Sequence, residues 1–320
     1  MLLYTLLFFV GLLILYFGAE GLVQGASSIA LQYGIKPVVV GLTVVALGTS
    51  MPEFLVNLFA VVADESPLAL GNIIGSNISN IALILGSSAL VLPLTVTPEI
   101  LKREYPIMLG VMVLFYLLAL DGQIGTLDGL GMVALLIGLG GFLVYETHQA
   151  DTAAVLDQIE SDLEGADPEM SGPKKTIYLL GGMIGLALGA HLMVDSAVHI
   201  ASTLGIATGI IGLTAVALGT SLPELAASMV SAAKSESDMS VGNVMGSNML
   251  NVLFVVGIIS IFKPLEVEAR SLRIDFPVML GFCVLLLPIV WSKYRISRVG
   301  GSILLASFLG YMTYLMLPYL

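Results

Sequence analysis

The stretch GLTVVALGTSMPE at 41–53 returns as GLTAVALGTSLPE at 212–224, with eleven of thirteen positions identical at an offset of 171. A second signature follows each copy at the same distance, GNIIGSNISN at 71–80 and GNVMGSNMLN at 242–251. The match continues beyond both: Pro93 aligns with Pro264, Lys102 with Arg273, Glu104 with Asp275, and PIMLG at 106–110 with PVMLG at 277–281. A chain that repeats itself over nearly its whole length is expected to fold as two copies of one unit. Each copy places one carboxylate, Glu53 or Glu224, inside an apolar run. Ionisable groups at membrane depth are costly, and they mark ion or proton handling.

The solvent of this chain is lipid. Hydrophobic residues make up 57% of the 320, charged residues 11%, and the mean hydropathy is +1.00. A soluble domain carries about 25% charged residues. Apolar runs near the ~20 residues that cross a bilayer as a helix fall at 3–25, 37–62, 68–91, 104–120, 125–146, 175–203, 208–234, 238–262, 273–292 and 298–318. Lipid offers open backbone no partners, so spans must be helices or closed barrels, and the short alternating segments of a barrel are missing. The expectation is an all-α membrane protein with ten transmembrane helices. The first span is not read as a signal peptide: it has no basic n-region, and Gly18-Ala19-Glu20 aligns with Gly189-Ala190-His191. Cys283 is the single cysteine, so no intramolecular disulfide forms.

Each unit then holds five spans, 1–149 and 172–320, joined by a polar linker at 150–171. Five is odd, so the second unit enters the membrane from the opposite side. Two inverted five-helix repeats are a framework of secondary transporters, with the site at the repeat interface near the midplane; a channel is the competing reading. Nine cationic residues (Lys36, Lys102, Arg103, Lys174, Lys175, Lys234, Lys293, Arg295, Arg298) fall on the side of the linker and three (Lys263, Arg270, Arg273) on the other. Positive residues favour the cytoplasm, which places the linker there and both termini outside the cell membrane. The linker region also holds much of the net charge of −11, through Glu146, Asp151, Asp157, Glu160, Asp162, Glu164, Asp167 and Glu169 with no basic residue among them. Their spacing does not match a calcium-binding helix–loop–helix, so a solvated connector is expected.

The repeated motif is built for oxygen chemistry. Pro52 lies inside a long apolar helix and has no N–H, so the helix should break just before it. Carbonyls around Ala46 and Thr49 should lose their partners, Thr49 and Ser50 add hydroxyls, and Glu53 adds a carboxylate. Pro223, with Ala217, Thr220, Ser221 and Glu224, repeats the set. Two such clusters facing one another make a cage for a hard cation such as Ca²⁺ or Na⁺, whereas softer metals would recruit Cys or His. A purely structural reading takes Ser50-x-x-Glu53 and Ser221-x-x-Glu224 as capping boxes. In the second signature, Gly71, Gly75, Gly242 and Gly246 suit close helix approach. Ser76 with Asn80, and Ser247 with Asn251, share a helix face. Asn72, Asn77, Asn243 and Asn248 are read as structural, hydrogen-bonding between helices.

GTSMPE with GNIIGSN, repeated as GTSLPE with GNVMGSN, resembles the two α-repeats of the cation/calcium antiporter superfamily, and most of all its prokaryotic sodium/calcium exchangers. The resemblance covers both halves. It implies cation positions lined by Ala46, Thr49, Ser50, Glu53, Ser76 and Asn80, and by Ala217, Thr220, Ser221, Glu224, Ser247 and Asn251. It implies exchange of Ca²⁺ for Na⁺ by alternating access, with the first and sixth helices sliding over a static core. Some relatives carry an aspartate where Asn80 or Asn251 stands here, so the pocket charge comes from Glu53 and Glu224 alone. One Ca²⁺ or two Na⁺ would neutralise it; protonating both glutamates would as well, which leaves a proton-coupled Ca²⁺/H⁺ antiporter as the alternative. Glu20, whose repeat mate His191 breaks the symmetry, and Asp195 are read as interhelical contacts. An intramembrane protease would need paired aspartates sharing a proton, and its signatures are missing, so no enzyme is expected. Neither an organic cofactor nor a nucleic-acid partner is implied, only the bilayer and the transported ions, and the chain is expected to act as a monomer.

Overall fold

The computed structural model describes residues 1–149, 170–204, 219–291 and 293–317. Within these the fold is helical: α1 (Leu2–Tyr33), α2 (Pro37–Thr49), α3 (Met51–Val62), α4 (Ser66–Val91), α5 (Tyr105–Ala119), α6 (Thr126–Gln149), α7 (Gly172–Thr203), α8 (Leu222–Ala233), α9 (Ser237–Phe262), α10 (Asp275–Trp291) and α11 (Arg298–Met316). Among the described residues seven helices are long and apolar enough to cross a membrane, or eight when the bent pair α2 and α3 counts as one span. The break in that pair falls where the proline requires it. Ser50 leaves helical geometry (φ −85°, ψ 0°), and the two pieces diverge by 44°. Pro52 then sits in the first turn of α3, where its missing N–H costs nothing.

Burial sorts the helices into layers. In α4 and α9, 78% of the most apolar window is buried inside the protein, against 22% in α1, 11% in α6 and 28% in α7. The second signature therefore lies on the two central helices, and the long apolar outer helices face lipid. Each central helix widens into a π turn that begins at an asparagine of that signature, Asn80–Ile84 in α4 and Asn251–Val256 in α9. Such insertions are frequent at functional sites.

The elements recur at the sequence offset. Two short ribbons, β1 (Leu94–Thr95) with β4 (Arg295–Ile296) and β2 (Gln123–Ile124) with β3 (Leu265–Glu266), each pair one strand from either half. Asp64 and Ser235, also 171 apart, both take left-handed backbone (φ 66° and 64°) at the turn into a central helix. Helices α1 and α7 pack antiparallel through close backbone contacts. A Cβ at Gly18 would meet Leu186 N at 2.7 Å, and one at Gly182 would meet Leu22 N at 2.5 Å.

Glycine contacts also join α2 to α9. A Cβ on Gly242 would lie 2.6 Å from the Val38 carbonyl oxygen, and one on Gly246 would lie 2.4 Å from that of Leu42. A Cβ on Gly71 or Gly75 meets nothing within 4 Å among the described residues.

Candidate cation site

The two motif carboxylates sit at the start of short helices, Glu53 in the first turn of α3 and Glu224 in the first turn of α8. Both are 1% exposed, and they lie close enough for their charges to repel. Helix α8 packs on the π turn at Asn80, and α3 on the π turn at Asn251. Every described member of the residue set read from the sequence is buried: Ala46, Thr49, Ser50, Glu53, Ser76, Asn80, Thr220, Ser221, Glu224, Ser247 and Asn251. Ala217 lies outside the described residues.

Hydrogen bonds between the halves build the cluster. Ser50 Oγ donates to Glu224 Oε1 at 3.2 Å and stands 3.1 Å from Ser247 Oγ. Thr49 Oγ1 donates to Asn243 Oδ1 at 3.2 Å, and its repeat mate Thr220 donates to Asn72 Oδ1 at 3.3 Å. Thr220 also lies within hydrogen-bonding reach of Glu53. Asn243 and Asn72 are held in turn, Asn243 Nδ2 donating to Ser228 Oγ at 2.9 Å and Asn72 Nδ2 to Asn57 Oδ1 at 3.1 Å. Asn57 and Ser228, one turn beyond the glutamates and 171 apart, went unnoticed in the sequence. Polar residues at matching repeat positions were the available signal.

Two local expectations are corrected. The capping boxes do not form: neither Ser50 nor Ser221 makes a side-chain cap bond, because Ser50 spends its hydroxyl on the other half of the protein. The Ala46 carbonyl is not orphaned either, since the Ser50 N–H reaches it at 2.9 Å. Asn72, Asn77, Asn243 and Asn248 do bond between helices, chiefly to side chains. Glu20 on α1 approaches Lys234 just past α8 at 3.9 Å, whereas Asp195 approaches His199 one turn on at 3.8 Å, a contact within α7 rather than between helices.

What remains unsatisfied is informative. Glu53 Oε2, Glu224 Oε2, Asn80 Oδ1, Asn251 Oδ1, Ser76 Oγ and Ser221 Oγ are buried oxygens without a hydrogen-bond partner. Each orphaned polar group costs about 1–3 kcal/mol, and six in one cluster amount to a strong demand for positive charge. The donor set is carboxylate, amide and hydroxyl oxygen. Among the described residues no group of three or more His, Cys, Asp and Glu side chains gathers anywhere. Such a set suits a hard, exchangeable cation such as Na⁺ or Ca²⁺ and gives a transition metal no soft ligand.

Comparison with known proteins agrees with this chemistry. The family model described as "Sodium/calcium exchanger protein" matches residues 3–145 and 174–317. The chain is 37% identical to the putative antiporter CaxA of Alkalimonas amylolytica, over 97% of this chain and 98% of that one. It is 30% identical to the sodium/calcium exchanger MaX1 of Methanosarcina acetivorans, over 97% of each. Its fold superposes on the sodium-calcium exchanger NCX_Mj soaked with zero Na⁺ and Ca²⁺, with a TM-score of 0.80 and 31% identity over 98% of this chain and 99% of that one. The same exchanger soaked with 2.5 mM Na⁺ and 1 mM Sr²⁺ gives a TM-score of 0.82, covering 97% and 98%.

Fold and kinship define a multi-pass integral membrane protein that transports cations. The chain belongs to the sodium/calcium exchanger family. Members of this family are cation/calcium antiporters, carrying ions through the bilayer rather than catalysing a reaction.

Proposed function

We propose that this protein exchanges Ca²⁺ for Na⁺ across the plasma membrane by alternating access, through ten transmembrane helices arranged as two inverted five-helix repeats, 1–149 and 172–320. The antiparallel packing of α1 on α7 supports the inversion, as do the ribbons that pair one strand from each half. The Lys and Arg asymmetry supports a cytoplasmic linker and two extracytoplasmic termini. One chain supplies both halves of the site, which supports a monomer as the working unit.

The observation that carries the reading is the set of six partnerless buried oxygens, two of them from the carboxylates themselves. In this reading Glu53 and Glu224 hold one Ca²⁺ jointly. The hydroxyls of Thr49, Ser50, Ser76, Thr220, Ser221 and Ser247, the amides Asn80 and Asn251, and backbone at Ala46 and Ala217 complete the positions that Na⁺ also uses. With a pocket charge of −2, one Ca²⁺ or two Na⁺ neutralises the site, and a third Na⁺ would leave it positive. The two ions therefore compete for the same ligands, which is the requirement for exchange. The names of MaX1 and NCX_Mj favour sodium as the counter-ion. Protons are the second reading, because neutralising both glutamates would discharge the site equally well.

The test is uptake of radiolabelled Ca²⁺ into proteoliposomes under an imposed Na⁺ or H⁺ gradient. An outward Na⁺ gradient should drive uptake, external Na⁺ should inhibit it competitively, and Glu53→Gln or Glu224→Gln should each abolish most of it. Uptake driven fully by a pH gradient and indifferent to Na⁺ would establish the proton-coupled alternative. Near-native exchange in both glutamine variants would remove the site assignment.

A further inference from the structure

Two members of the oxygen cluster are amides, and an amide can present either an acceptor or a donor to the space it faces. Asn80 and Asn251 present oxygen because their nitrogen ends are engaged elsewhere. Asn80 Nδ2 donates to Asn248 Oδ1 at 2.9 Å, and Asn251 Nδ2 donates to Asn77 Oδ1 at 3.2 Å. Asn248 and Asn77 are amides too, so their own direction needs a cause. Each turns its nitrogen to a methionine: Asn248 Nδ2 lies 3.8 Å from Met108 Sδ, and Asn77 Nδ2 lies 3.9 Å from Met279 Sδ. A thioether sulfur accepts weakly and donates nothing, so an amide oxygen turned toward it would meet lone pairs. The sulfur sets the first amide, and the first amide sets the second.

All six side chains are buried, so bulk water offers no substitute partner. The arrangement is built twice and crosses between the halves. Met108 of the first half acts on Asn248 of the second, which acts on Asn80 of the first. Met279, Asn77 and Asn251 repeat the sequence from the opposite direction, each 171 residues from its counterpart. We propose that Met108 and Met279, acting through Asn248 and Asn77, are positioning residues that keep Asn80 and Asn251 oxygen-first toward the transported cation. The proposal rests on the cation-site reading above and adds a cause for the polarity of two of its ligands. A carboxylate in either position would offer oxygen whichever way it turned. An amide needs the support, because its reversal would set an N–H against a cation.

The experiment measures Ca²⁺ binding to the purified full-length protein by calorimetry, with the melting temperature of the ion-free protein followed in parallel. Met→Leu nearly conserves volume and is well tolerated in cores, while it removes the acceptor. The double variant Met108→Leu, Met279→Leu should bind Ca²⁺ about tenfold more weakly, the lower end for groups that orient a metal ligand, with little change in ion-free melting. Asn251→Asp supplies the second arm. Its carboxylate repels the Asn77 oxygen, so Asn77 turns over and aims that oxygen at Met279. In this background Met279→Leu should leave Ca²⁺ binding unchanged or strengthen it. An equal loss from Met279→Leu in both backgrounds would show a packing role and overturn the proposal, as would no loss in the native background. Glu224→Gln is measured alongside. If it leaves binding intact, the site itself is misplaced; if it removes binding while the methionine variants bind normally, only the orienting role is wrong.

Discussion

Gly246→Ala adds one methyl group where α9 meets α2 backbone to backbone. The new Cβ would stand 2.4 Å from the Leu42 carbonyl oxygen, 2.7 Å from Leu42 Cα and 2.8 Å from Ala46 Cβ. Ordinary contact begins at 3.4 Å, so the two helices must separate by about 1 Å at this level, the difference between the two figures. No obstructing atom is the free end of a flexible side chain, and the movement falls on backbone. Overpacking of this kind costs roughly 1–3 kcal/mol. The functional loss should exceed that, because the helices that part also carry the site. Ser247 is the next residue, with its Oγ 3.1 Å from Ser50 Oγ, and Asn243 Oδ1 is 3.2 Å from Thr49 Oγ1. A further ~1 Å takes both beyond hydrogen-bonding range, releasing the hydroxyls that border Glu224. Ca²⁺ affinity should fall by about 10- to 100-fold, as for loss of groups that orient metal ligands. The assay is Ca²⁺ uptake into proteoliposomes, normalised to inserted protein, with a thermal melt on the same preparation. Gly281→Ala in α10 is the control, since its Cβ meets nothing within 4 Å among the described residues. It should keep native uptake and gain up to about 1 kcal/mol from helix propensity. A Gly246→Ala protein that transports and melts like the native one would refute the argument.

Two further outcomes concern a buried carboxyl and the acidic linker. Glu236, buried at the start of α9, accepts hydrogen bonds from Ser27 Oγ on α1 at 2.9 and 3.0 Å. Burial pushes its carboxyl up to about 7, against the opposing pull of Ser27 and Lys234. Because the folded pKa lies above the unfolded one, its stabilising contribution is full below about pH 4.5 and is lost as pH rises through about 7. Glu236→Gln should flatten the melting profile over that interval and stabilise the protein at pH 8; an unaltered slope would contradict this. For orientation, Glu164→Cys in a Cys283→Ala background should react with an impermeant thiol reagent only from the cytoplasmic side, and labelling from outside intact cells would reverse the topology.

The break in α2 and α3 was legible because its cause is local. Pro52 removes one N–H and crowds one carbonyl wherever its helix lies. That the long helices are apolar enough to cross a membrane was legible from composition alone, and the two glutamates stood out as charges in apolar runs. Other features were misread or missed for a common reason. Ser50 fits a local cap by spacing, yet its hydroxyl finds a carboxylate on the other half. Asn57 and Ser228 looked unremarkable until each proved to hold an asparagine that holds a threonine. Met108 and Met279 read as ordinary apolar residues of a matched pentapeptide, and nothing along the chain ties either of them to an asparagine.

The amino-acid sequence by itself determined the solvent, the helical class, the duplication, the point where α2 breaks from α3 and the identity of the two motif carboxylates. Those properties depend on residues within a few positions of one another, or on comparing the chain with itself. Tertiary structure alone decided which oxygens go without partners and which way each buried amide turns. Its decisive pairs join residues 140 to 202 positions apart. Their choice depends on which donors and acceptors are left facing each other once helices have closed and water has gone. Spacing along the chain carries no record of that competition, because it is settled only when both halves are packed.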